Sequence, residues 1–257
     1  MYLDQVLHNS SVTLRRAAEH KRSLMEMVAH DLRSPLMSAS FQVDNLISQS
    51  KTICKEFTPR LQKLQQTCSL VIAFVEDLLT VEKLEAGKLE LDWDSIELSD
   101  VLDDSLQQIM PLAEMKNITI TSNAQQLKVL ADRRRVHQVL NNLLSNAIKY
   151  SPTGSQVVVS AQLQEKEVKV SIVDQGPGIP KNQQSKLFEK FYQVDGGGTR
   201  DGGTRDGSTR DGSTREGFGL GLAICNLIIS EHRGTVGVDS QVGKGSTFWF
   251  TLPLDKD

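Results

Sequence analysis

Apolar residues recur every three or four positions along the first third of the chain. Met25, Val28, Leu32, Leu36, Ala39, Val43 and Leu46 form one stripe. That spacing predicts an amphipathic helix running to about Gln49. A second stripe, Leu61, Leu64, Cys68, Val71, Val75 and Leu78, follows Thr58-Pro59. Thr58 suits an N-cap and Pro59 the first helical turn. Two such helices joined by a short polar loop form a hairpin, and one hairpin cannot bury both stripes. Two hairpins from two chains make a four-helix bundle, so a homodimer through residues 22–85 is expected. Residues 1–21 read as a polar helix with Leu7 and Leu14 one heptad apart. They are either a frayed helical end or a coiled-coil entry, and Lys21 interrupts the seam.

Beyond Ala86-Gly87 the period changes. Lys88 to Leu91 alternates like a short strand, and the domain boundary is placed near residue 88, giving domains 22–88 and 89–257. Helices are predicted over Ser99–Lys116 (Ser99 as N-cap), Arg133–Tyr150, Lys181–Tyr192 and Gly219–His232. Strands are predicted at Ile118–Thr121, Val129–Leu130, Gln156–Leu163, Glu167–Asp174, Thr235–Asp239 and Ser246–Leu252. The fold class is α+β: a helical hairpin, then a two-layer α/β sandwich with helices on one face.

Between these elements, residues 195–217 repeat with a period of five, as Thr199-Arg200-Asp201 and its copies at 204–206, 209–211 and 214–216. Arginines and acids nearly cancel, and no apolar residue is present to build a core. The segment reads as a mobile, neutral spacer; alternatively Arg200, Arg205, Arg210 or Arg215 reaches a bound phosphate.

Composition narrows the classes. The 257 residues carry a net charge of -3, with 39% hydrophobic and 24% charged residues. Nothing in that balance favours nucleic acid. No apolar run approaches the ~20 residues of a membrane span, and the N-terminus lacks a signal-peptide pattern, so no membrane segment and a cytoplasmic location are expected. Cys54, Cys68 and Cys225 have no metal spacing and read as reduced thiols.

Five stretches carry candidate chemistry. His30 lies roughly 200° around its helix from Val28, away from the apolar seam, and Pro35 bends the helix one turn later. It is either a solvated surface histidine or a nucleophile shown to a second domain. Asn142, Asn146 and Lys149 share one face of the 133–150 helix, opposite Leu140, Leu144 and Ile148. Amides and an ammonium in line suit Mg²⁺ and a phosphate chain, or form an ordinary polar face. Asp174 continues the apolar row Val168, Val170, Ile172. A carboxylate so placed needs a donor, such as the exocyclic amine of adenine, and the turn Gly176-Pro177-Gly178 lets a flat base approach. Gly217, Gly219 and Gly221 open a helix whose free N–H groups favour anions. The turn Gly243–Thr247 either flanks the same pocket or is a plain hairpin.

Taken in order, MVAHDLRSPL, HQVLNNLLSNAIKYS, DQGPGIP, LFEKFYQVD, GFGLGLAI and GKGSTFWFTLP resemble the sequence boxes of two-component sensor histidine kinases. The resemblance runs across residues ~22–254. It implies a histidine-phosphotransfer hairpin followed by an ATP-binding domain of the gyrase/Hsp90/histidine-kinase/MutL type. It implies that His30 is phosphorylated by ATP and passes the group to a response regulator receiver domain, with Asp31 hydrogen-bonded to its ring. Asn142 and Asn146 would hold Mg²⁺, Lys149 and Tyr150 would lie along the phosphates, and Asp174 would take the adenine amine. Gly176 and Gly178 would shape that pocket. Gly217, Gly219 and Gly221 would anchor a lid over Phe188 and Phe191, and Thr247 would close the adenine side. Ser34 stands where Thr or Asn is frequent, and Phe218 where a small residue is frequent. The alternatives are an ATPase or ATP-gated dimer of the same fold that phosphorylates no histidine, and a non-catalytic dimeric scaffold. With no sensor, transmembrane pair or receiver in these residues, the chain reads as a fragment or as a kinase that takes its signal from another protein.

Overall fold

The computed structural model describes scattered helical positions between 36 and 46, then residues 58–86, 90–164, 166–194 and 218–255. The chain divides into two compact units, Met1–Gly87 and Lys88–Asp257.

In the first unit, helix α1 spans Thr58–Glu85. Val43, Cys68, Val75, Val81 and Leu84 are buried, whereas Leu64 and Leu70 are exposed. By length and composition alone, Leu61–Leu84 is apolar enough to cross a membrane, at a mean hydropathy of 1.3. The stretch is an averaged one and not a continuous apolar run, since Lys63, Glu76, Asp77, Glu82 and Lys83 interrupt it. Glu76 and Asp77 stand side by side in its middle, and carboxylates at a bilayer centre are costly. Burial and the neighbouring Glu76 charge raise the Asp77 carboxyl to about 6.

The second unit runs β1 (Asp94–Glu97), α2 (Leu98–Met115), β2 (Thr119–Ala124), β3 (Lys128–Ala131), α3 (Arg133–Tyr150), β4 (Gln156–Gln164), β5 (Glu167–Asp174), α4 (Lys181–Gln184), α5 (Gly221–Glu231), β6 (Val236–Gln241) and β7 (Gly245–Pro253). Among the described residues, β2-β4-β5-β7-β6 form one sheet and β1-β3 a second. β2 runs parallel to β4, and the remaining neighbours are antiparallel. Strand alternation sends Val157, Val159, Ala161, Val168, Val170, Ile172, Phe248, Phe250 and Leu252 to one face, where they are buried. Helices α2, α3 and α5 pack on this side, giving the two-layer α/β sandwich.

Several predicted boundaries move for identifiable reasons. Helix α2 starts at Leu98, with Glu97 rather than Ser99 at the N-cap and no side-chain cap. Buried Leu98 instead donates its N–H to the Leu127 carbonyl at 3.0 Å. Ile118 is not in a strand; its N–H bonds the Ala113 carbonyl and closes the end of α2. Residues 90–93 form no strand. The Asp92 N–H is held by Asp132 Oδ2 at 3.1 Å, and the ladder begins at Asp94. The predicted helix 181–192 shrinks to Lys181–Gln184. Phe191 adopts a left-handed φ of 62° and donates its N–H to the Gly219 carbonyl at 2.9 Å, which is incompatible with a continuing helix.

Candidate nucleotide site

The site is built along α3. Its apolar side, Val136, Val139, Leu140, Leu143, Leu144, Ala147 and Ile148, is buried. That spacing leaves Asn142, Asn146 and Lys149 half-buried on another side. Both helix ends are held. At the start, the Asp132 carboxylate accepts the N–H groups of Arg134 and Arg135 at 2.9 and 3.2 Å. At the end, the Lys116 ammonium donates to the carbonyls of Ile148, Lys149 and Ser151 at 3.1, 2.7 and 3.4 Å. A cation there satisfies carbonyls that the helix leaves open and complements its negative pole. Asn141 faces differently from Asn142: its amide donates to Gln108 Oε1 on α2 at 2.7 Å.

Two contacts define the two ends of the site. Near the middle of α3, the first residue of α5, Gly221, lies so close that a Cβ on it would sit 3.2 Å from Asn142 Oδ1. The open N–H groups of α5 therefore begin beside that amide oxygen. At the end of α3, a Cβ on Gly176 would sit 2.8 Å from Asp174 Oδ1 and 3.1 Å from the Tyr150 carbonyl. Only a glycine fits between the helix end and the carboxylate. Asn142 and Tyr150 are eight residues apart, so the anion-favouring end and the carboxylate end are separated by about 12 Å along the helix.

Asp174 is 4% exposed. Its Oδ1 accepts the N–H of Gly176 at 2.7 Å and that of Ser246 at 3.2 Å, and Oδ2 takes part in neither bond. Burial raises the Asp174 carboxyl above its usual range, against the lowering effect of these two bonds. The loop after it is fastened to the far hairpin. Gly178, at φ +71°, backs onto the Gln241 carbonyl, where any side chain would collide. The Pro177 carbonyl accepts the Gly243 N–H at 2.7 Å, and Ser240 Oγ accepts the Ile179 N–H at 2.8 Å.

The structure thus brings Asn142, Tyr150, Asp174, Gly176 and Gly221 to one side of the sandwich, with Asn146 and Lys149 between them on α3. Tyr150 is exposed, and the Lys149 ammonium stands 5.2 Å from its ring centre. Gly219 packs on the backbone of Phe191 and Tyr192. Thr247 is a correction. It pairs with Val173, whereas Ser246 pairs with Asp174. Cross-strand partners share a face, so Thr247 points to the opposite side of the sheet, and the β7 residue beside the carboxylate is Ser246. His30, Asp31, Gly217 and the arginines of the repeat lie outside the described residues.

Residues that only the fold reveals are Lys116, Ser246 and His232. The last is fully buried at the end of α5 and receives the Asp132 N–H on Nε2 at 3.0 Å. Among the described residues no three His, Cys, Asp or Glu side chains converge on a metal position. Asn142 and Asn146 offer amide oxygens, which are hard ligands of the kind a hydrated divalent cation takes.

Residues 131–256 match the family described as histidine kinase-, DNA gyrase B-, and HSP90-like ATPase. Over 258 aligned residues the chain is 33% identical to the adaptive-response sensory kinase SasA of a Synechocystis species, covering 97% of this chain and 63% of that protein. It is 31% identical to the sensor histidine kinase WalK of Bacillus subtilis, covering 93% of this chain and 38% of the relative. The chain thus spans less than two thirds of the length of these relatives. Among solved structures, full-length ShkA in complex with AMPPNP superposes with a TM-score of 0.72 at 24% identity, covering 91% of this chain and 46% of that one. The catalytic domain of histidine kinase ThkA gives 0.52 at 26% identity, covering 63% and 96%.

Proposed function

We propose that the chain, whose residues 131–256 match the histidine kinase-, DNA gyrase B-, and HSP90-like ATPase family and which is 33% identical to a sensory kinase over 97% of its length, is an ATP-dependent protein-histidine kinase. It phosphorylates His30 and passes the group to an aspartate of a response regulator receiver domain. The observation that supports this reading best is the two-ended arrangement along α3. A buried carboxylate with one oxygen outside its backbone bonds stands at one end, and helix N–H groups beside an amide oxygen stand about 12 Å away. An adenine amine and a triphosphate have this polarity and reach.

In this reading Asp174 Oδ2 accepts the adenine amine, and Gly176 and Gly178 leave room for the ring. Asn142 and Asn146 are the residues that would hold Mg²⁺ through their amide oxygens, and that ion would neutralise phosphate charge. The phosphate chain lies by Lys149 and Tyr150 toward Gly219 and Gly221, with Gly217 at the lid's edge. An unprotonated His30 nitrogen attacks the γ-phosphorus in line; the N–P bond forms as the P–O bond to ADP breaks. Asp31 holds the other ring nitrogen and stabilises the imidazolium until its proton leaves. Transfer then breaks N–P and forms O–P on the receiver carboxylate. Positioning supplies most of the rate, because phosphoryl transfer asks little covalent chemistry of the protein. The hairpin at residues 22–85 supplies the homodimer, and the protein works in the cytoplasm.

Incubation with γ-labelled ATP tests the proposal. Acid-labile label should appear on the chain and be absent from His30→Gln, which should still bind Mg–AMPPNP. Steady phosphate release with no labelled protein would instead favour an ATPase of the same fold.

A further inference from the structure

Helices α3 and α5 touch at three described points that together fix how one lies on the other. Asp132, the N-cap of α3, donates its N–H to Nε2 of His232, the C-cap of α5. Seven residues on along α3 and seven residues back along α5, the Cys225 thiol meets the Val139 carbonyl at 3.9 Å. Ten residues on and eleven back, Gly221 meets Asn142. The helices therefore run antiparallel in constant step, and the Asp132–His232 bond stands about 15 Å from the Asn142–Gly221 contact. A slide of α5 at one end is a slide at the other.

His232 is built to hold that step. Nε2 accepts a backbone N–H, so Nδ1 carries the ring proton and donates it to the Ile228 carbonyl at 2.8 Å. The ring has no exposed surface, and Trp93 lies over it with the ring centres 5.2 Å apart. Both nitrogens are used in the neutral form, and burial holds the imidazole below its ordinary pKa against the pull of Asp132 and Glu231. The Asp132 carboxylate meanwhile fastens Asp92. One buried junction thus ties the segment before β1, the start of α3 and the end of α5.

We propose that His232 is a positioning residue for the phosphate end of the nucleotide site: through the Asp132 N–H it sets the register in which Gly221 meets Asn142. This rests on the nucleotide reading above. The carboxylate end is held by other bonds, those of Gly176 and Ser246 to Asp174, so the two ends should respond differently.

The test is calorimetric titration of the full chain with Mg–AMPPNP and, separately, with adenosine, at 10 °C and corrected for the active fraction. His232→Phe keeps the bulk and loses both polar bonds. It should bind Mg–AMPPNP about tenfold more weakly, a loss in line with sub-ångström misplacement, and adenosine within about twofold of wild type. His232→Gln, whose Oε1 reaches the place of Nε2, should recover most of the loss. His232→Asn, too short to reach Asp132, should behave as the Phe variant and serves if that chain does not fold. A lower melting temperature with unchanged affinity for both ligands would overturn the proposal, as would equal weakening of both. If wild type binds neither ligand, the nucleotide reading fails and this inference with it.

Discussion

A buried carboxylate without a cation beside it is a cost to the fold, and Asp174 carries that cost at the end of an apolar strand row. Its folded-state pKa lies above 3.8, so the folded chain binds more protons than the unfolded chain between 3.8 and the raised value. The stability associated with the protonated form is complete below 3.8 and is lost as pH rises through the raised value. Asp174→Asn should therefore raise the melting temperature at pH 7.5, with the gain vanishing below pH 3.8, while Mg–AMPPNP binding is lost. A thermal-shift series across pH, with and without ligand, reads both effects. A variant less stable at pH 7.5 would contradict the assignment of burial as the cause. Asp174 was legible from parity along Glu167–Asp174, because alternation needs no knowledge of the partner strand. Ser246 was not: the choice between it and Thr247 depends on β5–β7 register, which only the paired sheet supplies.

At the scale of elements, α3 was read to its last residue and β5 at both ends, since a strong local period and flanking polar residues mark them. Elements closed by distant bonds were misplaced: the start of α2, the segment before β1 and the shortened α4 each follow a tertiary hydrogen bond. Lys116 escaped notice for the same reason, since its three acceptors lie 32 to 35 residues away. Lys116→Met should leave those carbonyls without their donor and lower stability by about 1–3 kcal/mol, and Lys116→Arg should restore part of the loss. Urea denaturation measures it, and an unchanged midpoint would show that the cap is dispensable. Within α1, Asp77 at about 6 predicts a second pH effect. Its folded value exceeds 3.8, so the helical unit is most stable below that pH and loses stability as pH rises through about 6. Asp77→Asn should stabilise the chain at pH 7.5 and flatten the helical signal's dependence on pH between 3.8 and about 6.

At the scale of the whole molecule, α1 leaves Leu64 and Leu70 uncovered, at 50% and 39% exposure. Six residues apart on a 28-residue helix, they stand about 120° from each other on different faces, and a second copy completing a four-helix bundle would cover both. The double variant Leu64→Lys, Leu70→Lys should shift the chain from dimer to monomer in sedimentation and leave Mg–AMPPNP binding within about twofold, because the nucleotide residues all lie in the other unit. A dimer that survives both charges would place the interface elsewhere.

In the proposed reaction, a nucleotide held between Asp174 and Gly221 delivers its terminal phosphoryl group to His30. The most direct measurement is mass spectrometry of the chain after reaction with Mg–ATP, with phosphohistidine located under alkaline conditions that preserve the N–P bond. One modified site is expected, at His30, absent in Asp174→Asn and in Asn146→Ala, and absent in His30→Gln although that variant should still bind Mg–AMPPNP. Phosphorylation at another residue in wild type, or at His30 in the Asp174 variant, would contradict it.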